Sequence, residues 1–157
     1  MSKVTDEQGV TYWHLELSNI SPLAKIGEGT VIHAGVHIHD EVVIGRNCQI
    51  EANALLFNGV TLADNVFIGP AVCFTNDKRP GTERPNWKPV PTRVCYQAKI
   101  GAGAMIRAGV TIGERAIVGM GSVVLEDVPN DAIVAGVPAK PIKTKDTPFE
   151  VPSVEVK

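Results

Sequence analysis

Polar side chains recur at a fixed interval in the first half of the chain. Asp40, Asn58 and Asn76 are spaced eighteen residues apart. Carboxylate and amide groups aligned along one edge can hydrogen-bond a polyhydroxylated substrate. The alternative is that these residues satisfy the backbone of turns, as Asp and Asn commonly do. We prefer the turn role for Asp40 and Asn58, and a substrate role for Asn76, because Asn76 borders an irregular segment.

Three of the four histidines are close in sequence, namely His33, His37 and His39. Imidazole can act as a general base near neutral pH, so His33 and His37 are candidate bases that would act across a subunit interface. Packing at the surface or at an interface is the ordinary alternative. A metal site needs converging imidazoles, whereas residues at these spacings straddle a corner and point in different directions. We therefore expect no metal ion.

Two glycine-rich segments occur at residues 101–104 and 119–122. The first residue of each segment is expected to share a corner column with Gly69. A corner without side chains would let an extended ligand with amide groups, such as a pantetheine arm, lie close to backbone N–H and C=O groups. The alternative is that the glycines serve only the corner. Lys140, farther along the chain, could meet a phosphate, although a solvated lysine is the ordinary explanation.

A period of six residues must position all of these groups. A large aliphatic or aromatic residue recurs every six positions from Ile20 to Phe74, and again from Val94 to Val124. From Ile26 onward a small or β-branched residue stands two positions before each of them. A hexapeptide period held this long predicts a parallel β-helix, in which three repeats form one coil. Residues eighteen apart then stack at the spacing of paired strands, about 4.8 Å.

Three faces follow from this register. The first face stacks Ile20, Ile38, Leu56 and Phe74, the second stacks Ile26, Ile44 and Leu62, and the third stacks Ile32, Ile50 and Ile68. Gly27, Gly45 and Gly69 are expected at corners, because glycine tolerates dihedral angles that other residues avoid.

The period fails once, between Phe74 and Val94. Twenty residues separate these two where six would suffice, so fourteen residues are inserted. Residues 75–91 contain four of the chain's eleven prolines and six charged residues. A long irregular loop on a rigid scaffold commonly carries function, and we expect this one to do so.

Composition limits the class of protein. The 157 residues suffice for one domain, and a net charge of −2 points to neither nucleic acid nor a membrane surface. Three cysteines without a CxxC pair, and no apparent signal peptide or membrane helix, predict a cytoplasmic protein with reduced thiols. We expect a cap at residues 1–19, the β-helix at 20–142 and a polar tail at 143–157.

The repeat, its single mid-chain loop and the ending at residues 135–142 (Ala-Gly-Val-Pro-Ala-Lys-Pro-Ile) together resemble the hexapeptide-repeat acyltransferases. The resemblance covers residues 20–142. It implies an all-β fold, a left-handed parallel β-helix that we expect to contain about five coils, with a loop inserted at residues 75–91 and a short C-terminal extension. It also implies acetyl-CoA as co-substrate and a homotrimer with its sites between subunits.

A narrower resemblance rests on two short motifs. Residues 66–70 (Val-Phe-Ile-Gly-Pro), followed by residues 74–77 (Phe-Thr-Asn-Asp) and Pro80, look like the branch that N-acetylates nucleotide-linked 3-amino sugars for surface polysaccharides. In that branch the asparagine of Phe-Thr-Asn lies at the reacting amine, which corresponds to Asn76. The branch commonly continues with Pro-Arg, whereas here Gly81 follows the proline.

These resemblances imply roles for particular residues. We expect a dTDP- or UDP-linked 3-amino sugar of the O-antigen type as acceptor. The predicted residues are Asn76, with His33 and His37 as further candidates, for catalysis; Asp40, Asn58, Asp77, Arg79, Arg84 and Trp87 for substrate binding; and Gly101, Ala102, Gly119, Met120 and Lys140 for acetyl-CoA.

Two other functions stay open at this point. An O-acetyltransferase of a small sugar or other hydroxyl acceptor would use the same fold but would need a general base, usually histidine, and the insertion contains none. A non-catalytic β-helix scaffold subunit is the second alternative. A metal-dependent hydratase is a remote third.

Overall fold

The computed structural model describes residues 2–82 and 85–143. These residues form 20 short strands and one 3-10 turn at Leu15–Leu17. The strands are β1 (Lys3–Thr5), β2 (Thr11–Trp13), β3 (Asn19–Ile20), β4 (Lys25–Ile26), β5 (Val31–Ile32), β6 (His37–Ile38), β7 (Val43–Ile44), β8 (Gln49–Ile50), β9 (Leu55–Leu56), β10 (Val60–Leu62), β11 (Phe67–Ile68), β12 (Cys73–Phe74), β13 (Thr92–Val94), β14 (Lys99–Ile100), β15 (Met105–Ile106), β16 (Thr111–Ile112), β17 (Ile117–Val118), β18 (Val123–Val124), β19 (Ile133–Ala135) and β20 (Lys140–Lys143).

The strands build the three faces of a β-helix. The first face has the order β3-β6-β9-β12-β15-β18, the second has β4-β7-β10-β13-β16, and the third has β2-β5-β8-β11-β14-β17-β19, with β1 and β20 at its two ends. Coil-to-coil pairing is parallel, and it places Ile20 opposite Ile38 and Ile26 opposite Ile44. These partners are eighteen residues apart, so the predicted faces and their register are confirmed.

The core is a thin column of stacked aliphatic side chains. Ile68, Phe74 and Ile100 are 0% exposed, and the small residues before them, such as Val72 and Ala98, are equally buried. Successive side chains of a strand point to opposite sides. The large residue of each repeat and the small residue two positions before it therefore point inward, and the residue between them points outward. Each fully buried large aliphatic contributes about 1.5–3 kcal/mol relative to exposure, and the repeat multiplies this term along the solenoid.

The number of coils is larger than the sequence predicts. The third face stacks seven parallel strands within the described residues, from β2 to β19, so the expected number of about five is too low. The two additional strands, β2 and β19, are not predicted because they do not follow the period of six. Tyr12 in β2 pairs with Ile32, twenty residues later, and Val118 pairs with Val134, sixteen residues later. Neither spacing equals the eighteen residues of a regular coil.

Glycine at the corners serves packing rather than backbone conformation. Gly27, Gly45 and Gly69 do not adopt a positive φ, so the predicted dihedral reason is wrong. A Cβ on Gly27 would instead lie 2.6 Å from the backbone carbonyl carbon of Gly45 in the next coil. The left-handed residue of a corner comes two positions later, as at Asn47, where the chain turns into the next face.

The inserted loop leaves the first face after β12 and returns at β13 on the second face. Val94 of β13 pairs with Leu62 of β10. The two residues are 32 positions apart, which is the eighteen of a regular coil plus fourteen inserted residues. This register confirms the predicted insertion of fourteen.

The chain before Ile20 is partly regular. Strands β1 and β2 form an antiparallel hairpin, and β2 adds a parallel strand to β5 of the third face. Residues 144–157, most of the predicted tail, lie outside the described residues. Within the described part of the chain, no helix is long and apolar enough to cross a membrane.

Candidate active site

Two corners of the β-helix carry the predicted site residues. The glycine corner follows the third-face strands and contains Trp13, His33, Glu51, Gly69, Gly101, Gly119 and Ala135 in successive coils. The loop corner follows the first-face strands and contains Ser21, His39, Phe57, Thr75 and Arg107. The insertion leaves the scaffold directly after Thr75.

Asn76 lies at the neck of the inserted loop. The Thr75 hydroxyl accepts a hydrogen bond from the Ala108 N–H (2.9 Å) and donates to the Ile106 carbonyl (3.3 Å). The Asn76 carbonyl accepts from the Val90 N–H (2.9 Å), which joins the two ends of the loop. The backbone of Asn76 is therefore held on both sides. Its half-buried side-chain amide makes no hydrogen bond to any residue in the described ranges.

Asp40 and Asn58 occupy the equivalent positions of earlier coils. Asp40 accepts a hydrogen bond from the Ser21 hydroxyl at 2.6 Å. This contact ties two coils together, as expected of a structural corner residue. Asn58 is half-buried, and the pairing of Leu55 with Cys73 sets it in register with Asn76.

The loop presents further polar and aromatic side chains. The Asp77 carboxylate accepts from the Arg79 N–H at 2.8 Å, which forms an Asx turn just after Asn76. Trp87 is 38% exposed. Arg84, which the sequence also assigns to substrate binding, lies outside the described residues.

Lys78 belongs to the same loop but is not among the residues that the sequence predicts for the site. Its Nζ lies so close to Gly109 that a Cβ on this glycine would come within 2.6 Å of it. Gly109 follows Ala108 at the loop corner one coil above Asn76, so a lysine side chain folds back over the scaffold beside Asn76. No periodic signal could reveal this contact, because Lys78 lies inside the insertion.

The glycine corner has a bare backbone surface after the loop. A Cβ on Gly69 would lie 2.7 Å from the Ala102 nitrogen, and a Cβ on Gly101 would lie 2.6 Å from the Met120 nitrogen. These glycines therefore let adjacent coils approach closely. The structure confirms that Gly69, Gly101 and Gly119 share one column.

Two backbone N–H groups of this corner have no hydrogen-bond partner among the described residues. The N–H groups of Ala102 and Met120 have no acceptor within the described part of the chain. At the corner after the second face, the corresponding N–H of Arg46 donates to the Asp64 carboxylate at 2.7 Å. The glycine corner lacks such a side chain, because the positions one coil after Ala102 and Met120 are occupied by Met120 and Gly136. It therefore offers free donors to an extended ligand.

Lys140 lies at the C-terminal end of the glycine corner. Strand β20 returns antiparallel to β19, which places Lys140 opposite Ala135. Ala135 follows Gly119 in the column, and its Cβ would be 2.8 Å from a Cβ on Gly119. The exposed Lys140 thus lies on β20, two strands beyond β17, the strand that precedes Gly119 and Met120.

His33 lies at the N-terminal half of the same corner. Its Nε2 is 3.8 Å from a Glu51 carboxylate oxygen, and its ring is nearly parallel to that of Trp13, with centroids 6.4 Å apart and 17° between the planes. Neither Glu51 nor Trp13 is among the residues that the sequence predicts for the site. The spacing of eighteen from His33 could have revealed Glu51, whereas Trp13 precedes His33 by twenty residues.

His37 and His39 lie away from the glycine corner. His37 lies on the outward side of the first face, opposite Leu55, and His39 packs against Phe57 at the loop corner, with ring centroids 4.5 Å apart. No group of three or more potential metal ligands occurs in residues 2–82 and 85–143.

Two cysteines are poor nucleophiles. Burial raises the pKa of the Cys48 and Cys73 thiols, so both are protonated at neutral pH. The thiolate is the reactive form, and neither residue is therefore suited to carry an acyl group.

The candidate residues form two groups rather than one. Asn76 and the loop lie at the loop corner, whereas the free N–H groups and His33 lie at the glycine corner of the same chain. Within residues 2–82 and 85–143, a single chain does not bring the two groups together.

Comparisons with known proteins agree with this architecture. The family described as bacterial transferase hexapeptide (six repeats) matches residues 23–58 and 97–126. Serine acetyltransferase of Bacillus pumilus is 36% identical over 121 residues, which is 77% of this chain and 46% of that protein. Galactoside O-acetyltransferase of Escherichia coli is 31% identical over 128 residues, 76% of this chain and 63% of that protein. The chain spans about half the length of the serine acetyltransferase that it matches.

A solved structure extends the comparison to amino sugars. Perosamine N-acetyltransferase from Caulobacter crescentus, crystallised as a variant with CoA and GDP-perosamine, superposes with a TM-score of 0.71 at 32% identity. The match covers 81% of this chain and 54% of that chain.

Proposed function

Because this chain belongs to the bacterial hexapeptide-repeat transferases, we propose that it is an acetyl-CoA-dependent N-acetyltransferase. The proposed acceptor is the amino group of a nucleotide-linked 3-amino sugar, carried on dTDP or UDP, for surface polysaccharide. The observation that carries this proposal is the position of Asn76 at the neck of the loop. Its backbone is fixed at the neck of the loop, and its side-chain amide is free to accept a hydrogen bond from an amine.

The glycine corner supports acetyl-CoA as the donor. The free N–H groups of Ala102 and Met120 suit the amide carbonyls of a pantetheine arm or the oxyanion that develops at the thioester carbon. Gly101 and Gly119 keep this surface clear of side chains. Lys140, at the end of the column, suits the phosphates of the nucleotide part of CoA.

The chemistry needs little beyond positioning. A neutral amine attacks the thioester carbonyl, a C–N bond forms, and the C–S bond breaks with CoA thiolate as a good leaving group. The surplus proton of the nitrogen passes to the thiolate or to water. Asn76 orients the amine lone pair, and precise orientation can by itself supply a large part of such a rate.

The division of the candidate residues between two corners supports a site shared by two chains. In this proposal the glycine corner of one subunit faces the loop corner of its neighbour in a homotrimer. Asp40, Asn58, Asp77, Arg79, Arg84 and Trp87 then border the acceptor. The proposed setting is the cytoplasm, where acetyl-CoA is available.

O-acetyl transfer is a second candidate, and the His33–Glu51 pair is the observation that favours it. A hydroxyl acceptor needs a general base, and the imidazole of His33, with a carboxylate oxygen 3.8 Å from its Nε2, is a candidate for that base. Both residues lie in the column that leads to Gly69 and Gly101. The similarity to galactoside O-acetyltransferase points the same way.

One assay distinguishes these functions. The protein is incubated with acetyl-CoA and a panel of UDP-, dTDP- and GDP-linked amino sugars, with serine and galactosides as hydroxyl acceptors, and free CoA is followed. We expect turnover with a nucleotide-linked amino sugar only. Turnover with a hydroxyl acceptor, abolished in His33→Gln, would replace the proposal by the second candidate. A scaffold protein would neither turn over nor melt at a higher temperature with acetyl-CoA.

A further inference from the structure

We propose that the pocket between Trp13 and Ala52 binds the nucleobase of the acceptor. This inference rests on the proposed function, because it assumes that the acceptor is a nucleotide. The pocket has a volume of about 330 Å³ and is lined by Trp13, His14, His33, Ala34 and Ala52. The sequence does not mark this pocket, and its lining residues belong to the first coils, far along the helix axis from Lys140.

The walls of the pocket suit a planar ring. Trp13 and His33 present nearly parallel rings, with 17° between the planes. Proteins that bind any nucleobase commonly stack it on an aromatic side chain, because every base has a π-face. The Lys3 ammonium lies over the Trp13 ring, 5.6 Å from its centroid, so a positive charge lies next to this aromatic pair.

The floor of the pocket is made of small residues. Ala34 and Ala52 directly follow His33 and Glu51, so they occupy equivalent corner positions in successive coils. Larger side chains at these positions would fill the space in front of Trp13. The volume is at the lower end of small-molecule sites, which suits one base with part of its ribose rather than a whole nucleotide sugar.

Trp13 and His33 are held in place by their neighbours. The pairing of Tyr12 with Ile32 fixes the strands that carry the two rings, and the Tyr12 hydroxyl donates to Asp6 at 3.1 Å. On the far side, Glu51 lies 3.8 Å from His33 and accepts from the Gln49 amide. The Glu51 carboxylate thus lies next to the His33 ring and is held by the Gln49 amide.

The pocket lies on the same corner as the proposed acetyl-CoA surface. His33, Glu51, Gly69 and Gly101 follow one another in adjacent coils. At about 4.8 Å per coil, His33 is roughly 10 Å from Gly69 and roughly 14 Å from Gly101 along the axis. A ribose and a diphosphate fit in this interval. A base at Trp13 would therefore leave the amino sugar near the thioester, with acetyl-CoA in the opposite half of the corner.

The test uses Trp13 itself as the reporter. The chain has two tryptophans, so Trp87→Phe in the full-length protein leaves Trp13 as the only one. We expect UMP and dTMP to quench its fluorescence saturably, since a stacked base quenches indole. Ribose 5-phosphate, which lacks the base, should leave the fluorescence unchanged. Equal quenching by ribose 5-phosphate, or none by any nucleotide, would overturn the inference.

Calorimetry on the chain with its natural Trp87 supplies an independent readout. Trp13→Leu should weaken UMP and dTMP binding about tenfold to a hundredfold, the range expected for the loss of one base–aromatic stack. Trp13→Phe, which keeps a smaller ring, should fall between Trp13→Leu and the unsubstituted protein. A variant counts as folded when acetyl-CoA raises its melting temperature as it does for the unsubstituted protein. Unchanged nucleotide affinity in a folded Trp13→Leu would overturn the inference.

Two outcomes separate this inference from the proposed function. If Trp13→Leu turns over a nucleotide-linked amino sugar with an unchanged KM, the assignment of the pocket to the nucleobase is wrong and the proposed function still holds. Saturable quenching by UMP or dTMP without turnover of any amino sugar would support the pocket and count against the function. Quenching by CoA but not by UMP or dTMP would assign the pocket to the adenine of CoA and overturn the inference.

Discussion

Replacing Gly101 by alanine tests the acetyl-CoA surface most closely. The new Cβ would lie 2.6 Å from the Met120 nitrogen and 3.0 Å from the carbonyl carbon of Gly119. Both are backbone atoms of the next coil, so they cannot rotate away and the two coils must separate. The substitution also covers the bare backbone and displaces the free N–H of Met120.

The magnitude has two parts. Overpacking of this kind costs about 1–3 kcal/mol of stability, which for a chain of this size lowers the melting temperature by roughly 2–12 °C. Acetyl-CoA at a hundred times its Kd stabilises a protein by about 2.7 kcal/mol. A tenfold weaker affinity removes about 1.4 kcal/mol, so Gly101→Ala should retain only about half of the acetyl-CoA-dependent rise in melting temperature.

Gly103→Ala is the matched control in the same turn of the chain. A Cβ on Gly103 meets nothing within 4 Å, but its φ of +68° is left-handed. Alanine there should cost about 1–2 kcal/mol through backbone strain alone. We expect Gly103→Ala to melt at a lower temperature and to keep the full acetyl-CoA shift.

The assay is thermal melting followed by intrinsic fluorescence, with and without acetyl-CoA at several concentrations. The proposed donor surface would be wrong if Gly101→Ala kept the full acetyl-CoA shift despite a lower melting temperature. It would also be wrong if Gly101→Ala and Gly103→Ala lost the shift equally, because the two substitutions would then act only through stability.

Three further outcomes are expected. Asn76→Ala should lower kcat on the amino sugar about a hundredfold, the effect of a misplaced reactant, with little change in melting temperature, whereas the exposed amide Asn19→Ala should change neither. His33→Gln and Glu51→Gln should keep kcat within about threefold, because a required general base would contribute about 10²–10⁴. Burial and the hydrogen bond to a carboxylate raise the pKa of Tyr12 to about 12. The free energy of unfolding should therefore fall as pH rises from about 10 toward 12, since the folded state holds the phenol proton more tightly than the unfolded state, and Tyr12→Phe should remove this component in urea unfolding at pH 9 to 11.

Each of these expectations has a contrary result. An unchanged kcat in Asn76→Ala would remove this residue from the site. A fall of a hundredfold or more in both His33→Gln and Glu51→Gln, at saturating acceptor, would identify a base and favour O-acetyl transfer. Identical pH profiles for Tyr12→Phe and the unsubstituted protein would show that the phenol has the same pKa in both states.

The regular part of the fold was predictable because the same packing rule applies to every coil. One rule, a large inward aliphatic every six residues, sets every coil from Ile20 to Phe74 and again from Val94 onward. The same register predicts the column of Gly69, Gly101 and Gly119, because stacking needs only the spacing of eighteen. The position of the insertion follows for the same reason, since the period stops where the loop leaves.

The irregular ends were not predictable from the period. The 3-10 turn at Leu15–Leu17 puts twenty residues between Trp13 and His33, so no search at intervals of eighteen would pair these rings. The contact of Lys78 with Gly109 depends on how the loop folds back. The role of Gly27 and Gly45 was misjudged, because close approach of coils and left-handed dihedrals both favour glycine and a sequence does not distinguish them.

The division of the site between two corners was predictable only in outline. The register places Asn76 after the first face and His33 after the third. Which surfaces would meet in the proposed trimer depends on outward-facing side chains, and these do not follow the period of the inward-facing residues.

The most direct measurement is the release of free CoA from acetyl-CoA in the presence of UDP-, dTDP- and GDP-linked 3-amino and 4-amino sugars, run side by side with Asn76→Ala. We expect CoA release with at least one of these sugars, mass-spectrometric gain of one acetyl group on its nitrogen, and a rate about a hundredfold lower in the variant. No release with any amino sugar, or equal rates for the variant and the unsubstituted protein, would contradict the assignment of amine acetylation to the loop corner.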